Sequence, residues 1–213
     1  MKFFTFNRLS LEHFLIFVLF PIVLTFDFSI YIKLGLGFIA LIYVIIISIK
    51  NSYFRSLNLK FSPSQKSAYL KSLTLKFISI ALLTSLITFL FYKEVLFNAL
   101  QNNLWRFFLV TGVYTFLSVI PQEFIYRKFY FQRYKMLFKS DKQLIAINSM
   151  VFCLGHLFFD NLLVLVITLI GGFIFSLSYL KYQSLKWICI EHSLYGLWLY
   201  TIGLGGLLGF PVN

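Results

Sequence analysis

Hydrophobic positions in this chain come in long blocks, not in the short alternating or three-and-four patterns of a water-soluble domain. Blocks at 11–26, 34–49, 73–92, 104 to past 120, 144–159, 162–180 and 187–202 carry few charges. Each approaches the roughly 17–25 residues that a helix needs to cross a bilayer. The pattern predicts an all-α, polytopic membrane helical bundle of seven or eight transmembrane helices. The first two blocks are short and are divided only by Asp27 and Lys33. The tail at 204–212 is too short to span alone and is expected to extend the last helix or to pack as a cap. Ser62-Pro63-Ser64 marks a cytosolic loop over 50–76, carrying a turn or a short surface helix. No internal repeat or low-complexity linker interrupts the pattern, so residues 1–213 read as a single membrane domain.

Composition narrows the class. The 213 residues are 60% hydrophobic and 12% charged, with 28 phenylalanines. A soluble domain of this length could not bury so much apolar surface. The net charge of +12 raises nucleic acid as a partner, but its placement answers otherwise. Sixteen of the nineteen basic residues, from Lys2 and Arg8 through the Lys50–Lys76 connection (Lys60 included) to Arg127–Lys142, Lys181 and Lys186, fall on one side of the predicted topology. Only Lys33, Lys93 and Arg106 fall on the other. This positive-inside asymmetry places the N-terminus in the cytosol. The partners it implies are membrane lipids, whose anionic headgroups suit the basic loops, and no nucleic acid. Nothing bears on oligomeric state. The N-terminus resembles a signal peptide without a small-residue cleavage site, which reads as an uncleaved first span. Cys153 and Cys189 fall inside hydrophobic blocks and make no disulfide framework.

Charges inside apolar blocks are the candidate chemistry. The stretch after Pro121 stays apolar through Phe131, so the fourth helix is expected to run through the proline as a kink, carrying Glu123 and Arg127 inside the membrane. At 1.5 Å per residue, Glu123 lies roughly 15 Å from the cytosolic end of its helix, His156 roughly 21 Å along its own, and His192 roughly 9 Å. A charge at such depth costs ~2.5–3.5 kcal/mol and needs a partner or a wet cavity. Glu123 and Arg127 at i, i+4 could simply neutralise one another. The two histidines at compatible depth argue for a site. His13, beside Glu12, reads as interfacial. Gly172-x-x-x-Ser176 suits close helix approach, and Trp187 and Trp198 bracket the last span as an aromatic belt.

These residues resemble the CPBP family, intramembrane proteases named for CAAX prenyl proteases and bacteriocin-processing proteins, including those similar to lysostaphin resistance protein A. The family carries E-E-x-x-x-R, F-x-x-x-H and H-x-x-x-N, in that order. Here they correspond to Gln122-Glu123-Phe124-Ile125-Tyr126-Arg127, Phe152-Cys153-Leu154-Gly155-His156 and His192-Ser193-Leu194-Tyr195-Gly196. The resemblance covers about 105–205 as a catalytic core and leaves 1–104 as accessory helices. It implies an intramembrane endopeptidase hydrolysing a membrane-associated polypeptide, with Glu123, Arg127, His156 and His192 as catalytic residues. Two positions depart from it. Gln122 stands where the family has its general base, and Gly196 stands where it has an oxyanion-holding asparagine. Glu123 is then the candidate base, Arg127 sets its rotamer, His156 orients water and His192 stabilises the oxyanion, with Tyr195 or Ser193 as substitutes for the missing amide.

Other readings stay open. The two departures also suit an inactive scaffold or immunity protein, and the buried titratable groups a small proton-coupled transporter. No cofactor is required. Zinc remains open, either on Glu123, His156 and His192 or on the two C-x-x-H pairs, Cys153/His156 and Cys189/His192. The style of the sequence suggests a bacterial cytoplasmic membrane.

Overall fold

A computed structural model of the chain describes residues 2–56, 62–99 and 103–210. Lys60 and Val212, which bear on the charge and tail expectations, lie outside the described residues. Among the described residues no strand forms. The helices are α1 (2–23), α2 (Ile30–Lys50), α3 (Pro63–Phe91), α4 (Leu104–Leu137), α5 (Asp141–Leu154), α6 (Leu162–Tyr182) and α7 (Leu185–Thr201). Among the described residues, five segments are long and apolar enough to cross a membrane: α2, α3, α4, α5 with its following turn to Phe159, and α6. Their outward faces carry Leu82, Phe91, Trp105, Leu117 and Leu162. The buried positions instead include Glu123, Arg127, Asn148, Ser176 and Glu191. Polar residues inside and apolar residues outside is the arrangement expected when the solvent is lipid.

Local chemistry explains where helices begin. The Ser62-Pro63 stretch, expected to form a loop or short surface helix, opens the long α3 instead. The Ser62 hydroxyl accepts from the Gln65 N–H, and the Gln65 side chain accepts from the Ser62 N–H. This reciprocal cap, with proline at the first turn, begins the helix well before the apolar block and carries Lys76 inside it. Asn103, Ser140 and Asn161 cap α4, α5 and α6 through side-chain oxygens that accept from first-turn N–H groups.

Helix α4 runs through Pro121 as expected, but not as a uniform α-helix. It widens into π-helical turns at Tyr114–Val119 and Phe124–Phe129. Each inserts an extra residue into the ladder, a form that often marks functional sites. Pro121, which donates no N–H, sits in the short α-helical turn Ile120–Glu123 between them.

The chain divides into two compact units, Met1–Leu57 with Gln122–Lys181 and Asn58–Pro121 with Tyr182–Asn213. In the first, Arg133 forks onto both oxygens of Glu12 at 2.7 and 2.6 Å, and Tyr134 donates to the same carboxylate at 2.7 Å. His13 is not merely interfacial: it hydrogen-bonds the Tyr130 hydroxyl at 2.7 Å and packs among Phe17, Tyr134 and Phe138. Gly172 lies so close to α5 that a Cβ there would sit 3.0 Å from the Ser149 Cα, which confirms the close approach expected of the Gly172/Ser176 pair.

In the second unit, Lys76 on α3 pairs with Glu191 on α7. The Trp198 indole donates to Thr84 at 3.0 Å and Trp187 packs on Tyr69, so both indoles join helices instead of only marking the interface. The tail leaves α7 at Gly203, whose φ of +100° favours glycine. It folds back as a cap, bringing Phe210 onto Tyr200 and Tyr114.

Candidate functional site

Glu123, Arg127 and His156 belong to the first unit. Glu123 ends the short turn after Pro121, and Arg127 lies four residues on, inside the second π-helical turn. Both are fully buried, and the Arg127 Nε lies 3.4 Å from the Glu123 Oε2. The expected ion pair therefore exists, as a single long approach and not a bidentate fork. Lys128, counted with the cytosolic charges, is buried as well.

The second anchor of Arg127 is one that sequence reasoning misses. Its Nη1 donates to the Asn148 Oδ1 at 3.0 Å, and that oxygen also accepts from the Ser176 hydroxyl at 2.7 Å. The Asn148 Nδ2 donates to the Tyr126 carbonyl at 2.8 Å. Asn148 thus ties α4, α5 and α6 together through three hydrogen bonds from one amide. The guanidinium lies 4.7 Å from the Phe152 ring and 5.6 Å from the Phe175 ring. A lone asparagine in an apolar helix is the signal that could have found it.

His156 is expected within a helix, but α5 stops at Leu154 and His156 occupies the following turn. Gly155 permits that turn to be crowded, since a Cβ there would lie 2.2 Å from the Tyr126 hydroxyl. The His156 Nδ1 is 2.8 Å from the Phe152 carbonyl, which only accepts, so Nδ1 carries the proton. In its neutral form such a ring carries its lone pair at Nε2, the arrangement that orients water by accepting from it.

His192 belongs to the second unit, buried on α7. Its ring meets the Tyr114 ring edge to face at 6.2 Å. Its neighbour Glu191 is held by Lys76, by Tyr69 at 3.1 Å and by Tyr195 at 2.9 Å. The Tyr195 hydroxyl is therefore committed to Glu191, which removes it as the substitute for the missing amide. The sequence marks Glu191 as a titratable group deep in a late helix but not its partner, because Lys76 reads as part of a loop.

The Cys153 thiol is not arranged as a zinc ligand. The Cys153 thiol donates to the Leu165 carbonyl at 3.3 Å, the role of a protonated structural cysteine and not of a metal-bound thiolate. Among the described residues no three His, Cys, Asp or Glu side chains are grouped to hold an ion.

Comparison with known proteins adds the family. Residues 103–198, a little under half of the chain, match the Rce1-like family, described as type II CAAX prenyl endopeptidase Rce1-like. No curated protein and no solved structure matches the chain. Glu123, Arg127, His156 and His192 all fall within the matched stretch. The match supports the resemblance of that stretch to the CPBP family of intramembrane proteases.

Proposed function

We propose that the chain is a CAAX-type intramembrane endopeptidase that hydrolyses a membrane-associated polypeptide, working from the cytosolic side of a bacterial inner membrane. The match over 103–198, which contains all of the motif residues, carries this reading. Seven spans with a cytosolic N-terminus agree with the charge asymmetry of the sequence.

Hydrolysis asks little of the protein beyond a base and oxyanion donors. The Glu123 carboxylate takes a proton from water, and the resulting hydroxide adds to the scissile carbonyl carbon. The π electrons of the carbonyl move to its oxygen, where His192 donates a hydrogen bond. Collapse of the adduct breaks the C–N bond, and the proton held by Glu123 passes to the leaving nitrogen. The Nε2 lone pair of His156 orients the water. Arg127, itself held by Asn148, fixes the position of Glu123. No step passes through a metal.

The test is cleavage of a quenched fluorescent farnesylated CAAX peptide by the purified chain in liposomes. Release of fluorescence by the unsubstituted chain and its loss in Glu123→Gln are expected. Full cleavage by Glu123→Gln refutes the assignment of the base. Gln122 and Gly196 favour a second reading, a non-catalytic scaffold. It predicts that folded His156→Ala and His192→Ala chains keep the whole biological phenotype.

A further inference from the structure

Gly196 lies one turn after His192, on the same face of α7. Its lack of a side chain has a specific tenant. A Cβ built at Gly196 would lie 1.9 Å from the Tyr114 hydroxyl oxygen and 2.5 Å from the carbon bearing it. The phenol of Tyr114 therefore occupies the volume in which any side chain at 196 would begin. Its ring is edge-on to His192 at 6.2 Å and packs on Phe210 at 4.8 Å, which is stacked in turn on Tyr200 at 4.8 Å. Tyr114 opens the first π-helical turn of α4.

We propose that Tyr114 is the second oxyanion donor, delivered by α4 into the place that a side chain on α7 would otherwise fill, and that Gly196 is glycine in order to admit it. This rests on the peptidase reading above. A phenol keeps its proton at neutral pH and donates a single directional hydrogen bond, as an amide N–H does. The candidates on α7 itself are poorly placed. Tyr195 is bonded to Glu191, and Ser193 lies about 60° around the helix from Gly196. Tyr114 transfers no atom: its O–H hydrogen-bonds the carbonyl oxygen while water adds at carbon, and releases it when the C–N bond breaks. The arrangement also accounts for a tyrosine at a π-helical turn, where the extra residue alters the direction of the side chains that follow.

The experiment uses the full chain in liposomes with the farnesylated CAAX peptide. Tyr114→Phe keeps the ring and its packing and removes only the hydroxyl. It is expected to lower kcat about 10²–10³-fold with KM little changed, the usual effect of deleting one oxyanion donor. Tyr114→Ala should lose as much, and Tyr114→Ala/Gly196→Asn should recover about tenfold as the new amide enters the vacated volume. A Tyr114→Phe chain that cleaves at the unsubstituted rate overturns the proposal and leaves the peptidase reading standing. So does a folded double variant no faster than Tyr114→Ala. An unsubstituted chain that does not cleave at all overturns the peptidase reading and this one with it.

Discussion

Substituting Gly196 with alanine sets two well-measured effects against one another. In a helix interior, alanine is favoured over glycine by about 1 kcal/mol, so propensity alone predicts a more stable protein. The contact with Tyr114 predicts the reverse. The new Cβ would lie 1.9 Å from the phenol oxygen, which must retreat by about 1.5 Å to reach ordinary contact at 3.4 Å. Phe210 and His192 stand against that ring. Forcing a methyl into such packing costs about 1–3 kcal/mol. The net change is then between zero and about 2 kcal/mol of destabilisation, too small a window to be diagnostic by itself. The coupling is diagnostic. In a Tyr114→Ala background the same substitution no longer meets the phenol and should stabilise by about 1 kcal/mol, so the double-mutant cycle should give about 1–3 kcal/mol of interaction energy. The assay is loss of helical circular dichroism during SDS titration of the four proteins in detergent micelles. A coupling within about 0.5 kcal/mol of zero is what independent sites show, and it would refute the claim that the phenol occupies this space.

Three further outcomes follow from the buried polar contacts. Asn148→Leu removes the acceptor of Arg127 along with two other hydrogen bonds and should cost about 3–5 kcal/mol, read as loss of the monodisperse peak on size exclusion. An elution profile like that of the unsubstituted chain would show that Asn148 is not the anchor. Lys76→Met leaves the Glu191 carboxylate without its cation and should cost about 2–3 kcal/mol, less than for a fully buried pair because Lys76 is partly exposed. Lys76→Met/Glu191→Leu should recover at least half of the loss in melting temperature, and no recovery would contradict the pairing. Arg133→Lys replaces a two-pronged contact with a single one and should lower stability by about 1 kcal/mol. Glu12→Gln should have little further effect in that background, and additive losses would argue against the contact.

Long-range composition is the part of this protein that its sequence makes legible. Lipid-length blocks and one-sided charge identify a helical membrane protein, and a helix that stays apolar past Pro121 carries Glu123 and Arg127 into its interior. Features set by a few atoms escape. The Ser62/Gln65 cap reads as a loop because its serines and proline are also turn formers. With α3 begun too late, Lys76 reads as the end of a loop, and Glu191 is left without its partner. Asn148 is overlooked because one amide leaves no periodic trace, although it makes three hydrogen bonds. His156 is misplaced within a helix because Gly155, which ends α5, is tolerated in many membrane helices. Tyr114 is one of 13 tyrosines, and nothing local separates it from the rest. Only the clash that a side chain would meet at Gly196, far along the chain, singles it out.

The two departures from the family motifs therefore carry unequal weight. Loss of a side chain at 196 is matched by a gain in the same volume, because the Tyr114 hydroxyl reaches the point from which an asparagine would have started. A chain that had simply decayed would leave a void there or fill it with a hydrocarbon, whereas a phenol oxygen takes the space here. Gln122 has no such counterpart. A glutamine holds no exchangeable acid proton at neutral pH, so the neighbouring carboxylate of Glu123 is the acid–base group that remains in the first motif. Adjacent helical positions differ by about 100° in direction, and the π-helical turn beginning at Phe124 is the local distortion available to re-aim such a group. This sets an order of consequence. Restoring the family residue by Gln122→Glu should raise cleavage of the farnesylated peptide about tenfold or more, as a better-aimed base would. Gly196→Asn with Tyr114 intact should lower it, because the amide and the phenol compete for one space. If both substitutions raise the rate, the phenol is not serving in place of the amide, and the two departures are losses of the same kind.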